Sequence, residues 1–407
     1  MSSGPQTHDE VLARAGLLLV QARTASRNGS HDDAWRACQE AAAIGRQLQD
    51  ARLVAHAATA LAAPDILGIR LTPARQALCL EALALLGDSD AQLREHVTAH
   101  LVAITTVWLG PRATGAPIDH ADASLQFARL RAAHTAALGA ATTGDRLAIA
   151  GELVELGTGA ADDEILAWGH FWRSDALAQL GLRYELTTAI ASLTEVTARL
   201  ASPVWNWRLS CVAASIALLE DRVGDVPEAL DAVAEWGERA GLEDARWLEL
   251  TIRSEYAIRT HEGLVDVEAQ IRRALVGAPA LAHGWRARVL LAMGNTDEAR
   301  AIWRNLAPHL QDFPLRSLEW VLAMVGFADL AILAGDEERA RWILESLTPF
   351  GHLHAIGTVI GPYYGPVACA LGRLATFFGD GAGGERWLAD AAARADAMHA
   401  PWHAASA

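Results

Sequence analysis

Apolar and polar positions along this chain recur with a helical period, in runs broken by short polar joints. Asp9 to Arg27 carries Leu12, Leu18 and Leu19, and Asn28-Gly29-Ser30 ends it. His31 to about Gln49 makes a second run, with Trp35 and Ile44, and Ala51 to Ala63 a third. Pro64-Asp65 breaks the third, because the residue before proline is pushed out of the helical region. Thr72 to Leu86 starts with Pro73, which fits a first helical turn. Gly87-Asp88-Ser89-Asp90 then turns into a helix ending near Trp108. After a Gly/Pro-rich loop at Gly110 to Pro117, the runs Ala121 to Leu138 and Asp145 to Leu156 are helical, and Gly157-Thr158-Gly159 reads as another joint.

From Asp162 onward the runs fall into pairs. First helices are expected at 162–180, 203–222, 243–261, 279–293, 315–334 and 360–378. Second helices are expected at 183–200, 226–240, 264–276, 296–310, 336–349 and 382–398. The joints share a recipe, clearest in Gly294-Asn-Thr-Asp-Glu-Ala-Arg300 and Gly335-Asp-Glu-Glu-Arg-Ala-Arg341. Glycine can take the left-handed conformation that ends a helix. A neighbouring Asp, Asn or Thr can cap the next one, whose positive N-terminal end suits the acidic pair. Gly181, Gly224, Gly263, Gly294, Gly335 and Gly379 stand 43, 39, 31, 41 and 44 residues apart. A drifting period near 40 with one helix pair per unit predicts an all-α protein, an α-solenoid of antiparallel pairs of tetratricopeptide-like type. His352 to Pro366, rich in glycine and aromatic residues, makes an unusual entry to the last pair. The expected organisation is a flexible tail at 1–7, N-terminal repeats at 8–110, a loop at 111–120 and C-terminal repeats at 121–407, read as one continuous solenoid.

Composition narrows the function. The formal charge is −15, which opposes direct binding of phosphate backbones. All 34 basic residues are arginine. A P-loop lysine and a lysine Schiff base are therefore both excluded within this chain. Cys38, Cys79, Cys211 and Cys369 lie far apart, as buried thiols of a reducing cytosol would. No signal-like N-terminus or spanning apolar run is legible, so a cytoplasmic location is expected, with no membrane contact.

There are 14 tryptophans. Trp303, Trp342 and Trp387 recur just inside second helices, which points to packing between units. The first helices carry Trp168, Trp172, Trp205, Trp207, Trp247, Trp285 and Trp320, interleaved with Arg173, Arg208, Arg253, Arg286 and Arg288. Most of these rings also suit a core. If first helices line the concave face, a groove of Trp172, Arg173, Trp205, Trp207, Arg208, Trp247, Arg253, Trp285, Arg286 and Trp320, with Tyr363 and Tyr364 from the odd loop, is the natural binding surface.

Other motifs have plainer explanations. Gly379 to Gly384 is glycine-rich but follows a helix, not the strand a dinucleotide site needs. Asp162-Asp163-Glu164 could hold Mg²⁺ but opens a helix. His352/His354 and His399/His403 have metal-ligand spacing without nearby cysteine. His170 with Asp175 could form a base couple, without a nucleophile that can be placed beside it. No catalytic residue, metal or cofactor is expected.

Ile165-Leu-Ala-Trp-Gly-His-Phe-Trp-Arg-Ser-Asp-Ala-Leu177, Pro203-Val-Trp-Asn-Trp207, the two joints above, and Gly361-Pro-Tyr-Tyr-Gly-Pro366 through Ala400-Pro401-Trp402 carry a likeness. With them the chain, from about Leu12, resembles the C-terminal helical-repeat region of large actinobacterial regulators. These are the ATP-binding LuxR-type proteins and the ATPases fused to adenylate-cyclase-like domains. The resemblance implies a sensor or scaffold part, since no nucleotide-binding domain or helix-turn-helix is legible here. The expected function is a non-catalytic, regulatory scaffold for a protein or peptide. The alternative is a small-molecule-binding protein or natural-product enzyme with a pocket inside the solenoid.

Overall fold

The structure is a computed structural model that describes residues 8–27, 30–61, 72–105, 123–242 and 245–405. The breaks expected at Pro64-Asp65 and at 110–117 lie outside the described residues. The chain is an all-α array. It begins with α1 (His8–Arg27), α2 (His31–Leu48), α3 (Ala51–Thr59), α4 (Thr72–Leu86), α5 (Ala91–Thr105), α6 (Ala123–Ala136) and α7 (Thr143–Ala160). Six pairs follow: α8 (Asp163–Leu180) with α9 (Arg183–Leu200), α10 (Pro203–Leu219) with α11 (Val226–Arg239), α12 (Ala245–Thr260) with α13 (Leu264–Ala274), α14 (His283–Ala292) with α15 (Thr296–Leu306), α16 (Trp320–Ala334) with α17 (Glu337–Leu347), and α18 (Val367–Phe377) with α19 (Gly381–Ala397). The short α20 (Pro401–Ala405) comes last.

Every helix packs on its successor, and α10, α12, α14, α16 and α18 also touch in series. That double adjacency is what a stack of helical pairs requires. The two helices of a pair differ in burial. Twelve of the 18 residues of α8 are buried, against five of the 18 of α9. In α10 and α11 the counts are 11 of 17 and 4 of 14. In these two pairs, as in α16/α17 and α18/α19, the first helix is the more buried and the second the outer one, whereas in α12/α13 and α14/α15 the two are buried to a similar extent. Val226, Leu230, Val233 and Gly237 show the 4-3-4 spacing of a single inward stripe.

The joints follow the expected chemistry in part. Gly294 and Gly335 take φ +76° and +65°. Asp336 accepts from the Arg339 amide and Asp380 from the Gly383 amide, as caps do, while Asn295 makes no side-chain cap. At Gly224 the left-handed residue is instead Asp221, φ +57°, followed by a 3-10 turn. The joint expected at Gly157 to Gly159 lies inside α7, which ends at Ala160 with Ala161 as its left-handed cap. Gly157 is there for closeness: a Cβ on it would come within 2.7 Å of the Leu166 amide nitrogen of α8. Gly169 returns the favour, its Cβ position lying 2.9 Å from the Val154 amide nitrogen.

The unusual stretch before the last pair departs from an all-helical reading. β1 (His354–Ile356) and β2 (Tyr363–Pro366) form an antiparallel hairpin, with His354 opposite Pro366 and Ile356 opposite Tyr363. α18 consequently starts at Val367 rather than near 360. This hairpin packs against α8, α10, α16 and α18. Ile356, Val359, Ile360 and Tyr363 join the core of α8 and α10, and Leu353, Ala355 and Val367 join that of α14 and α16. All four cysteines are free and buried. No helix among the described residues is long and apolar enough to cross a membrane.

Candidate functional site

On α6, Phe127, Arg131 and His134 stand four and three residues apart, so they share one helix face. On α8, Trp168, Phe171 and Trp172 do the same. The packing of consecutive helices sets these faces near Trp205 and Arg208 of α10. His134 stacks on Trp172, centroids 4.0 Å apart and planes within 8°. Trp168 meets Trp205 edge-on at 5.1 Å. The Arg208 guanidinium lies 4.6 Å from the Trp168 ring and 4.6 Å from that of Trp205. The Arg131 guanidinium lies 5.3 Å from Trp168 and 5.3 Å from Phe127. Two guanidiniums thus share one indole, each at cation–π distance.

Beside this cluster is a cavity of about 170 Å³. α1 contributes Arg23 and Ser26, the end of α3 contributes Thr59 to Leu61, and α5 contributes His96 and His100. The rest of the wall is Ser124, Phe127, Ala128 and Arg131 of α6 with Glu164 and Trp168 of α8. Behind His100, an Arg75 nitrogen lies 3.3 Å from its Nε2 and also donates to the Leu61 carbonyl. Burial, then Arg75, Arg131 and His96, hold the His100 imidazole well below its ordinary pKa, so it is neutral at pH 7. His134 is lowered in the same way, by burial and then by Arg146 and Arg131. Arg146 itself is fully buried and donates to Gln179 and Thr143, with Nε and Nη1 lacking acceptors. Burial pulls its pKa down to about 10, against the attraction of Asp175, and it stays charged at neutral pH.

No protein-family model and no curated protein matches this chain. The site is therefore read from its own geometry.

The groove expected along the first helices is not an open surface. Trp172, Trp205, Trp207, Arg208, Trp320 and Tyr363 are all buried, and Arg173, Arg253, Trp285, Arg286 and Tyr364 are half-buried. Trp247 alone of the twelve is exposed, at 41%. One physical reason is the hairpin. Its Val359 amide donates to Asp175 of α8, Tyr364 lies under Arg288 of α14 at 3.9 Å, and Gly357 packs beside Glu319 and Leu322. Arg288 in turn holds Glu255 of α12 through two bonds of 2.8 and 2.9 Å. The chain's own residues thus sit where a guest was expected. The arginines are engaged: Arg253 pairs with Glu249, and Arg286 bridges Glu268 and Glu298. Trp172, Trp205 and Arg208 belong to the α6–α8–α10 cluster, while Trp247 and Trp285 form a separate pair at 5.9 Å.

The remaining motifs resolve into packing. Asp162 caps α8 by accepting from the Glu164 and Ile165 amides, and Asp163 pairs with Arg199. Asp175 binds the Val359 amide, and His170 Nδ1 has no partner, so the two do not form a couple. The histidine pairs recombine. His352 and His399 are exposed, whereas His354 and His403 are buried together against Tyr363. His354 Nδ1 lies 2.7 Å from the Tyr363 hydroxyl, and His403 Nε2 lies 3.1 Å from Arg259. Among the described residues no group of three or more His, Cys, Asp or Glu is placed to hold a metal. The cavity residues Arg23, His96, His100, Phe127 and Arg131 were not singled out from the sequence. The helical spacing of Phe127, Arg131 and His134 was the legible signal.

Proposed function

We propose that this chain is a non-catalytic, regulatory helical-repeat module that takes a small molecule into the cavity between α1, α3, α5, α6 and α8. The observation that carries this reading is the cavity itself, walled by arginines, histidines and two aromatic rings where the N-terminal helices meet α8. Convergent polar groups around a concave, partly apolar site are the usual mark of a ligand site. Occupancy would tie five helices together and stiffen the junction of the array, which is how a sensor passes binding to a partner. The likeness to the repeat region of large regulators agrees with such a role. The test is a thermal-shift screen of the full chain against metabolites of differing charge, beside Ala128→Leu, which fills the cavity. Compounds that stabilise the wild type and not the filled variant are expected. A panel in which no compound separates the two proteins overturns the reading.

A second reading, docking of a protein or peptide, is favoured by Trp247, Val265 and Val276, exposed at 41%, 69% and 83% around α12 and α13. Exposed apolar side chains on one helical pair of a solenoid suit partner contact. Affinity capture with wild type and Trp247→Ala, compared band by band, tests it. Identical captures from the two proteins argue against that surface.

A further inference from the structure

We propose that His100 is the recognition group of the cavity between α1, α3, α5, α6 and α8, a fixed hydrogen-bond donor that selects a molecule about the size of one aromatic ring bearing a carbonyl-type acceptor. The proposal rests on the small-molecule reading above and names the class of ligand.

The direction of the hydrogen bond is the first argument. His100 stands on α5 in the cavity wall and is 7% exposed. Its Nε2 lies 3.3 Å from a guanidinium nitrogen of Arg75, which stands behind the wall and not in it. An arginine offers donors only, so Nε2 is the acceptor at this contact. A neutral imidazole that accepts on one nitrogen carries its proton on the other. His100 is therefore held as the Nδ1–H tautomer, and the same contact forbids the doubly protonated ring. Its pKa, lowered by burial first and then by Arg75, agrees. The assignment holds whatever else Arg75 binds, because no further partner makes a guanidinium an acceptor.

The second argument is where that proton lies. Among the described residues His100 Nδ1 makes no hydrogen bond, yet it keeps accessible surface. The unpartnered ring nitrogens His134 Nε2 and His170 Nδ1 are instead sealed inside the protein. With Nε2 taken from behind, the Nδ1–H edge is the one left to the void. A donor so enclosed favours a guest that brings an acceptor, since a guest without one displaces water and leaves it unmet. Thr59, on the same wall, spends its proton on the Ala55 carbonyl at 3.1 Å, so its oxygen accepts and does not compete as a donor.

Shape sets the body of the guest. A cavity of about 170 Å³ compares with the roughly 150 Å³ that accepts benzene in an apolar core. Phe127 and Trp168 supply ring surface on the wall.

The experiment titrates the full chain with acetophenone, benzamide and α-methylstyrene, read by calorimetry and by ligand-observed NMR. α-Methylstyrene keeps the shape of acetophenone, with a methylene in place of the carbonyl oxygen. Acetophenone and benzamide are expected to bind at least about fivefold more tightly than α-methylstyrene, the net worth of one neutral hydrogen bond. His100→Phe keeps a ring in the wall and is expected to erase that difference while α-methylstyrene still binds. Nitrogen NMR of histidine-labelled protein gives a readout that packing alone would not move. The His100 signals, identified by their loss in His100→Phe or His100→Gln, are expected to show the proton on Nδ1. That nitrogen is expected to shift with acetophenone and not with α-methylstyrene. A proton on Nε2, or equal binding of all three probes that Ala128→Leu abolishes, overturns the acceptor class and leaves a ligand cavity in place. No binding by any probe overturns the class and counts against the cavity reading as well.

Discussion

Gly181→Ala separates two costs that a glycine at a helix end can hide. Gly181 ends α8 at φ +75°, a conformation that costs an L side chain about 1 kcal/mol. A Cβ there would also lie 2.3 Å from His354 Nε2 and 2.7 Å from its Cδ2. The imidazole cannot swing clear, being 1% exposed and bonded at 2.7 Å to the Tyr363 hydroxyl. Overpacking of this kind costs about 1–3 kcal/mol. Losing the His354–Tyr363 bond inside the core adds about 1 kcal/mol or more. Gly294 is the control, with φ +76° and nothing within 4 Å of its Cβ position. Gly294→Ala is expected to cost about 1 kcal/mol and Gly181→Ala about 3–5 kcal/mol, the sum of the strain, overpacking and lost-bond ranges. Urea unfolding followed by tryptophan fluorescence measures both, the midpoints being comparable only if the slopes agree. His354→Ala in the Gly181→Ala background vacates the space and is expected to recover part of the difference. Equal costs for the two glycines, or no relief from His354→Ala, would refute the account of how β1 is seated on α8.

Three further outcomes follow from the same packing. Burial, then Arg394, lowers the His354 pKa to about 4, Asp390 opposing. The unfolded chain therefore takes up that proton first, and stability is intact above about pH 6.5 and is lost as pH falls toward 4, by about 3 kcal/mol from this group. His354→Gln should flatten the fall of the urea midpoint with pH over that window. Glu255 is 1% exposed and held by Arg288, so Arg288→Met should cost about 3–5 kcal/mol, and Arg288→Met/Glu255→Gln less, in a double-variant unfolding cycle. Gly157→Ala places a Cβ 2.7 Å from the α8 backbone and should cost about 1–3 kcal/mol, with amide exchange rising in α7 and α8 before elsewhere.

The helical pairs were legible because each joint is written locally. Gly335 and Asp336 carry turn and cap in two adjacent letters, and α17 starts one residue later. Gly157 misled because a glycine admitted for close approach looks the same in sequence as one admitted for a left-handed turn. Only the distance to Leu166 tells them apart. The hairpin was hidden for a different reason. Its strands are 3 and 4 residues long, too short for a period to declare itself. The groove residues were read from the spacing of aromatic and arginine positions, but their exposure depends on what lies across from them, and that is non-local.

The hairpin also explains why the cavity lies where it does. Residues 354–366 reach α8, α10, α14 and α16, and Tyr363 and Tyr364 close over His403 and Arg288. Along that stretch the first helices have a covering from their own chain, and their arginines have their own acids. At the α6–α8 end the pattern changes. Arg146 is buried on Gln179 and Thr143 instead of a carboxylate, and Arg131 and Arg208 lie against indoles. Arg146, bonded to neutral groups and attracted by Asp175, keeps its charge in a buried place. The void lies beside these residues, against Glu164 and Trp168 of α8, whereas the hairpin meets α8 farther along, at Asp175 and Gly181. The wall of the void mixes guanidinium, imidazole and aromatic side chains, whereas a packing defect left empty is lined by apolar groups.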